Sequence, residues 1–111
     1  MLQDKIKDTL YQLGVNGTYM GYYYLTLAIM IAIEGEENLI YISKNIYPRI
    51  AERYHTSTSC VERNIRTVGD IMFRHGSPVL LSEIFIDNSK RPKNSKLISY
   101  LALYIKKQVS F

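Results

Sequence analysis

Apolar residues recur every three or four positions along most of this chain, and the points where the rhythm stops divide it into helices. Leu2, Ile6, Leu10 and Leu13 share one face of a first helix, Asp4, Lys5, Lys7, Asp8 and Gln12 fill the other, and Gly14 ends it. A turn at Gly14-Val15-Asn16-Gly17 leads into a run from Tyr22 to Ile33 that is almost wholly apolar. The three consecutive tyrosines and the β-branched residues of this run would suit a strand. No second strand-like run with turn chemistry is present to pair with it, so the run is expected to be a largely buried second helix ending at Glu34-Gly35-Glu36-Glu37-Asn38.

Leu39, Ile42, Ile46, Ile50 and Tyr54 predict a third helix over 39–54, with Ser43 a possible start cap. Pro48 falls inside it, so the helix proper either starts at Tyr47 or kinks there. Thr56 or Ser57 caps a fourth helix that places Val61, Ile65, Val68 and Met72 on one face and Ser59, Glu62, Arg63, Arg66 and Asp70 on the opposite one; Gly76 stops it. Ser82 to Phe85 would make one short turn. Asp87 to Asn94 is a polar loop, and Ser95 caps a last helix carrying Leu97, Ile98, Leu101, Leu103, Tyr104 and Ile105. The expectation is an all-α fold of about six helices in a single domain over 1–111, without repeats.

Charge adds an asymmetry to this picture. Residues 1–40 hold two lysines against five acids, whereas residues 41–111 hold twelve Lys/Arg against five, so the halves carry −3 and +7. A basic surface in the second part suits nucleic acid, an anionic membrane or an acidic protein. The longest apolar run, Tyr22 to Ile33, is far below the roughly 20 residues that span a bilayer, and it lacks a basic flank and a cleavage site. Neither a membrane partner nor a signal is expected. One cysteine, Cys60, excludes an internal disulfide and a cysteine-based zinc cluster and points to a reducing cytoplasm.

The segment from Ile50 to Arg66 has the organisation of a helix-turn-helix, placed at about 46–75 with its second helix at about 57–75. Ala51 is the small residue where the helices cross, Thr56 or Ser57 caps, and Ile50, Tyr54, Val61 and Ile65 pack the pair together. His55 stands where such turns often carry glycine, and histidine is among the residues that tolerate a positive φ. Outward-facing arginines can grip guanine, Glu62 can accept from cytosine, and Ser59 can reach a base or a phosphate. Glu62 and Arg66 also have the spacing of a simple surface ion pair. The densest basic cluster, Lys90, Arg91, Lys93 and Lys96, suits phosphate contacts beside a helix start.

Other chemistry finds little support. His55 and His75 lack a third ligand at metal spacing, so neither metal nor cofactor is expected; His75 is expected near the end of the fourth helix, where the dipole favours a cation. Cys60, near a helix start and Arg63, could also serve as a redox-sensing thiol. No phosphate-cradling glycine loop, zinc-binding His-Glu pair or glycine-flanked serine is present, so an enzyme is not expected. The competing class is a small helical protein-interaction module docking through the apolar last helix. Of ten tyrosines, seven lie in the apolar stretches of helices and are expected to pack rather than to stack on bases.

Two segments, Ile46-Tyr47-Pro48-Arg49-Ile50-Ala51 and Ser59-Cys60-Val61-Glu62-Arg63-Asn64-Ile65-Arg66, resemble the C-terminal DNA-binding domain of the stage-zero sporulation protein A family, response regulators that start endospore formation. Gly21-Tyr22-Tyr23-Tyr24-Leu25, Arg74-His75-Gly76 and Pro92-Lys93-Asn94-Ser95 extend the likeness over nearly the whole chain. The resemblance implies six helices, the fourth in the major groove of double-stranded DNA, tandem copies on adjacent boxes, and contact with the transcription machinery. It implies base contacts by Ser59, Cys60, Glu62, Arg63 and Arg66 and phosphate contacts by Thr56, Ser57, Lys90, Arg91, Lys93, Ser95 and Lys96. Cys60 stands where the family usually carries arginine, so binding strength or base preference there should differ. The family's phosphorylatable receiver precedes this module, whereas this chain starts at Met1 with the effector part: it is either the effector half taken from a longer regulator, which would bind without phosphorylation control, or a naturally receiver-less protein, which could compete with a full-length regulator or heterodimerise with it.

Overall fold

The computed structural model describes residues 1–109, and its secondary structure there is helical. Seven α-helices follow one another: α1 (Leu2–Gln12), α2 (Met20–Glu34), α3 (Ile42–Asn45), α4 (Tyr47–Arg53), α5 (Thr58–His75), α6 (Pro78–Ile84) and α7 (Asn94–Val109), with a 3-10 turn at Glu36–Leu39. α3 is a single turn, so the expected all-α bundle of about six helices is what forms. No described helix is long and apolar enough to cross a membrane.

α2 is the hub, packed against α1, α4, α5 and α7. Its near-continuous apolar sequence follows from that position, because Tyr24, Leu25, Ala28, Ile29, Ile31 and Ala32 are buried on several sides of the helix. Gly21 brings α2 against α5 at backbone range. A Cβ there would stand 2.7 Å from Val68 Cγ1 and 2.9 Å from the carbonyl carbon of Asn64. On α5, the stripe Val61, Ile65, Val68 and Met72 is fully inaccessible, and each such side chain contributes about 1.5–3 kcal/mol by leaving water. That stripe orients the opposite face of α5 outward.

Several boundaries depart from the sequence pattern. The expected helix over 39–54 is broken into the 3-10 turn, α3 and α4. Ile40 and Tyr41 are exposed between them, and α4 starts at Tyr47 with Pro48 in its first turn, where a missing N–H costs nothing. Ser43 is not a start cap, since it lies within α3, whose N-cap position is Tyr41. The turn expected at Ser82–Phe85 is a longer helix, α6: Ser77 caps it by accepting from the Leu80 amide at 3.3 Å, and Pro78 opens it. Ser95 likewise does not cap α7, which has already begun at Asn94 and whose Leu97 amide donates to the Lys93 carbonyl. Leu103, counted with the apolar face of that helix, is about half exposed.

Candidate nucleic-acid interface

The turn between α4 and α5 is fixed by its own backbone. The Thr56 amide donates to the Ala51 carbonyl at 2.9 Å and the His55 amide to Glu52 at 3.4 Å, while His55 takes φ +53°. This pairing, in which a left-handed residue ends a helix and two amides reach back over it, closes off the last carbonyls of α4. Histidine does here what glycine does at Gly14, φ +86°, after α1. Ser57 then caps α5, its Oγ accepting from the Cys60 amide at 3.1 Å. Ala51 is buried at the crossing, in keeping with its size, and Tyr54 meets Tyr24 edge to face with centroids 5.2 Å apart.

The expected base-reading residues all fall in the first half of α5. Ser59, Arg63 and Arg66 are exposed, and Glu62 is half-buried. Glu62 Oε1 and Arg66 Nη2 lie 2.8 Å apart, the i,i+4 pair that their spacing allows. Cys60 is turned to the shoulder of the helix, against the apolar core. The Thr56 hydroxyl beside it, with Tyr24, Arg63 and Asn64, outweighs the effect of burial and holds the thiol below its ordinary pKa. Asn64 Nδ2 reaches Cys60 Sγ at 3.4 Å and the Cys60 carbonyl at 2.8 Å.

The expected phosphate-contacting residues divide. Lys90 and Lys93 are exposed in the segment before α7, and Ser95 is exposed in its first turn. Lys93 and Ser95 line a cavity of about 520 Å³ with Glu62, Arg66, Arg91 and Tyr47, which joins the start of α7 to the outer face of α5. Lys96 sits apart, beside Leu39, Ser99 and Tyr100. Ser57 is engaged as a cap and Thr56 with the Cys60 thiol. Arg91 turns inward: only 17% of its side chain is accessible, and its Nε lies 2.8 Å from Asp70 Oδ1.

Three residues that shape the cavity are not among the contacts expected from the sequence. Tyr41 and Ile40 form one rim, exposed because the break between α3 and the 3-10 turn leaves them without a core to face. Asn94 forms the other and ties it to α5, with its Nδ2 3.0 Å from the Glu62 carbonyl. An i,i+3 or i,i+4 rhythm that skips a residue is a usable signal for the first two. Asn94, in the polar stretch that follows Pro92, reads as one more loop residue.

Two helices joined by a tight left-handed turn, the second presenting polar and basic side chains on the face away from the core, define a helix-turn-helix protein of the DNA-binding class. The profile of the family described as sporulation initiation factor Spo0A C terminal matches residues 6–105, and the chain belongs to that family. It is a family of DNA-binding sporulation regulators rather than an enzymatic one.

Proposed function

We propose that this protein binds double-stranded DNA sequence-specifically, with α5 lying in the major groove and the 87–96 segment on the flanking phosphates. The supporting observation is the cavity that sets Arg66 of α5 beside Lys93 and the start of α7. Base edges and the flanking phosphates lie side by side along a groove, and a reader needs donors for both on one contiguous surface. Ser59, Glu62, Arg63 and Arg66 are the base-contacting side chains in this reading. Cys60, on the helix shoulder, offers a small soft side chain where the family usually carries a cation, so the base step nearest it lacks a charged reader.

Binding should be strongly electrostatic. If the exposed cations Arg63, Arg66, Lys90 and Lys93 each neutralise a phosphate or an equivalent charge, affinity falls by about a hundredfold between 50 and 200 mM salt, from a slope near 0.9 for each neutralised charge. The test is a selection on randomised duplex, repeated with Cys60→Arg, followed by titrations of Arg66→Ala. The expected results are a defined motif, a motif altered at one position in Cys60→Arg, and loss of about 1–3 kcal/mol of discrimination in Arg66→Ala. Salt-insensitive binding, or an Arg66→Ala variant that binds and discriminates as the parent does, would overturn the assignment. Tandem binding of two copies and contact with transcription machinery extend the same reading.

A further inference from the structure

We propose that Arg91, seated over Gly69, is a positioning residue that clasps the basic segment before α7 onto the recognition helix, so that Lys90 and Lys93 reach phosphates in fixed register with the base contacts of α5. This rests on the DNA-binding reading above. A Cβ on Gly69 would lie 2.8 Å from Arg91 Nε, 2.9 Å from Nη2 and 3.1 Å from Cζ. The guanidinium therefore occupies the place of a missing side chain on α5.

From that seat the fork reaches several partners. Nη2 donates to the Arg66 carbonyl at 3.3 Å and to Asn94 Oδ1, and Nη1 donates to the Pro92 carbonyl. Asn94 continues the clasp to the Glu62 carbonyl, one turn along the same helix. Nε faces the Asp70 carboxylate at 2.8 Å without hydrogen-bond alignment, so charge holds that side. The bonds to Arg66 and Glu62 span 25 and 32 residues of sequence. A lysine could not replace this residue, because its three donors diverge from one nitrogen and cannot span the partners that the planar fork over Gly69 reaches from three.

Gly69→Ala tests the clasp without changing charge. The three atoms nearest the new methyl all belong to the far end of a flexible side chain, and alanine is the better helix former. The variant should fold with a urea midpoint near the parent's. Amide exchange in residues 86–93 should accelerate. Duplex affinity at 0.15 M salt should drop about fivefold for each lysine that no longer meets its phosphate, and the slope of log K against log salt should shrink by about one for each such lysine. Arg91→Lys, which keeps the charge, should show the same effects, and Gly69→Ala should add nothing in the Arg91→Lys background. If the parent binds duplex and Gly69→Ala leaves exchange, affinity and salt slope unchanged, the clasp is refuted while the DNA reading stands. If the parent itself fails to bind duplex, the DNA reading falls, and the phosphate role of the clasp falls with it.

Discussion

Replacing Gly21 by alanine tests whether α5 is held by close backbone contact. In an isolated helix the change is favourable, by about 0.5–1 kcal/mol. In this fold the added Cβ would stand 2.7 Å from Val68 Cγ1 and 2.9 Å from the Asn64 carbonyl carbon, where ordinary contacts begin at 3.4 Å. The Asn64 carbonyl oxygen would be nearer still, so α2 and α5 must separate locally by more than the roughly 0.5–0.7 Å that those two distances require, and overpacking of this kind costs about 1–3 kcal/mol. Asn64 offers backbone, which cannot swing aside as a side-chain tip can. The net expectation is a destabilisation of about 1–2 kcal/mol, or about 5–10 °C in melting temperature for a chain of this size. Urea and thermal unfolding followed by circular dichroism would measure it. A Gly21→Ala protein as stable as the parent, or more so, would show that helix propensity governs the site and that the α2–α5 crossing is not close-packed.

Two further outcomes follow from the turn and the cap of α5. His55 adopts φ +53°; His55→Gly should be neutral to stabilising by up to about 1 kcal/mol in urea unfolding, and His55→Val should destabilise by about 1–2 kcal/mol or more. Thr56 is the largest contributor to the lowered Cys60 thiol pKa, so Thr56→Val should move the thiolate titration, followed by ultraviolet absorbance, to higher pH. An acid whose folded pKa is depressed stabilises the fold above its unfolded value, and that contribution disappears as pH falls through the folded one. The parent should therefore gain stability over Thr56→Val as pH rises into the thiol range, and a constant difference across that range would count against the assignment.

The helix faces were legible because burial imposes a period: Val61, Ile65, Val68 and Met72 could be read straight off the sequence, and with them the outward direction of Arg63 and Arg66. The unusual backbone at His55 was legible as well, since few side chains accept a left-handed turn. The signal failed where one pattern had two physical solutions. Leu39 to Tyr54 keeps helical spacing through three separate elements, because Pro48 and the exposed Ile40–Tyr41 pair break hydrogen bonding without breaking the apolar rhythm. Ser77-Pro78 is a start signal of the ordinary kind, hidden by the neighbouring Gly76 stop. Arg91 reads as solvated in a polar segment, and its inward turn depends on the bare surface at Gly69, 22 positions earlier.

The α4–α5 turn carries an evolutionary consequence. Its amides at Tyr54, His55 and Thr56 are all bonded to carbonyls of α4, and Ser57 caps the next helix. Inserting or deleting one residue there would break these bonds and the cap together, while the buried stripe of Val61, Ile65, Val68 and Met72 holds the rotation of α5 against the core. On the proposed DNA reading, descendants of this sequence would change what they recognise by substitution at Ser59, Cys60 or Arg63, while the length of the turn stays fixed. Length variation should instead gather in the segment around Asp87–Ser89, whose hydrogen bonds are local.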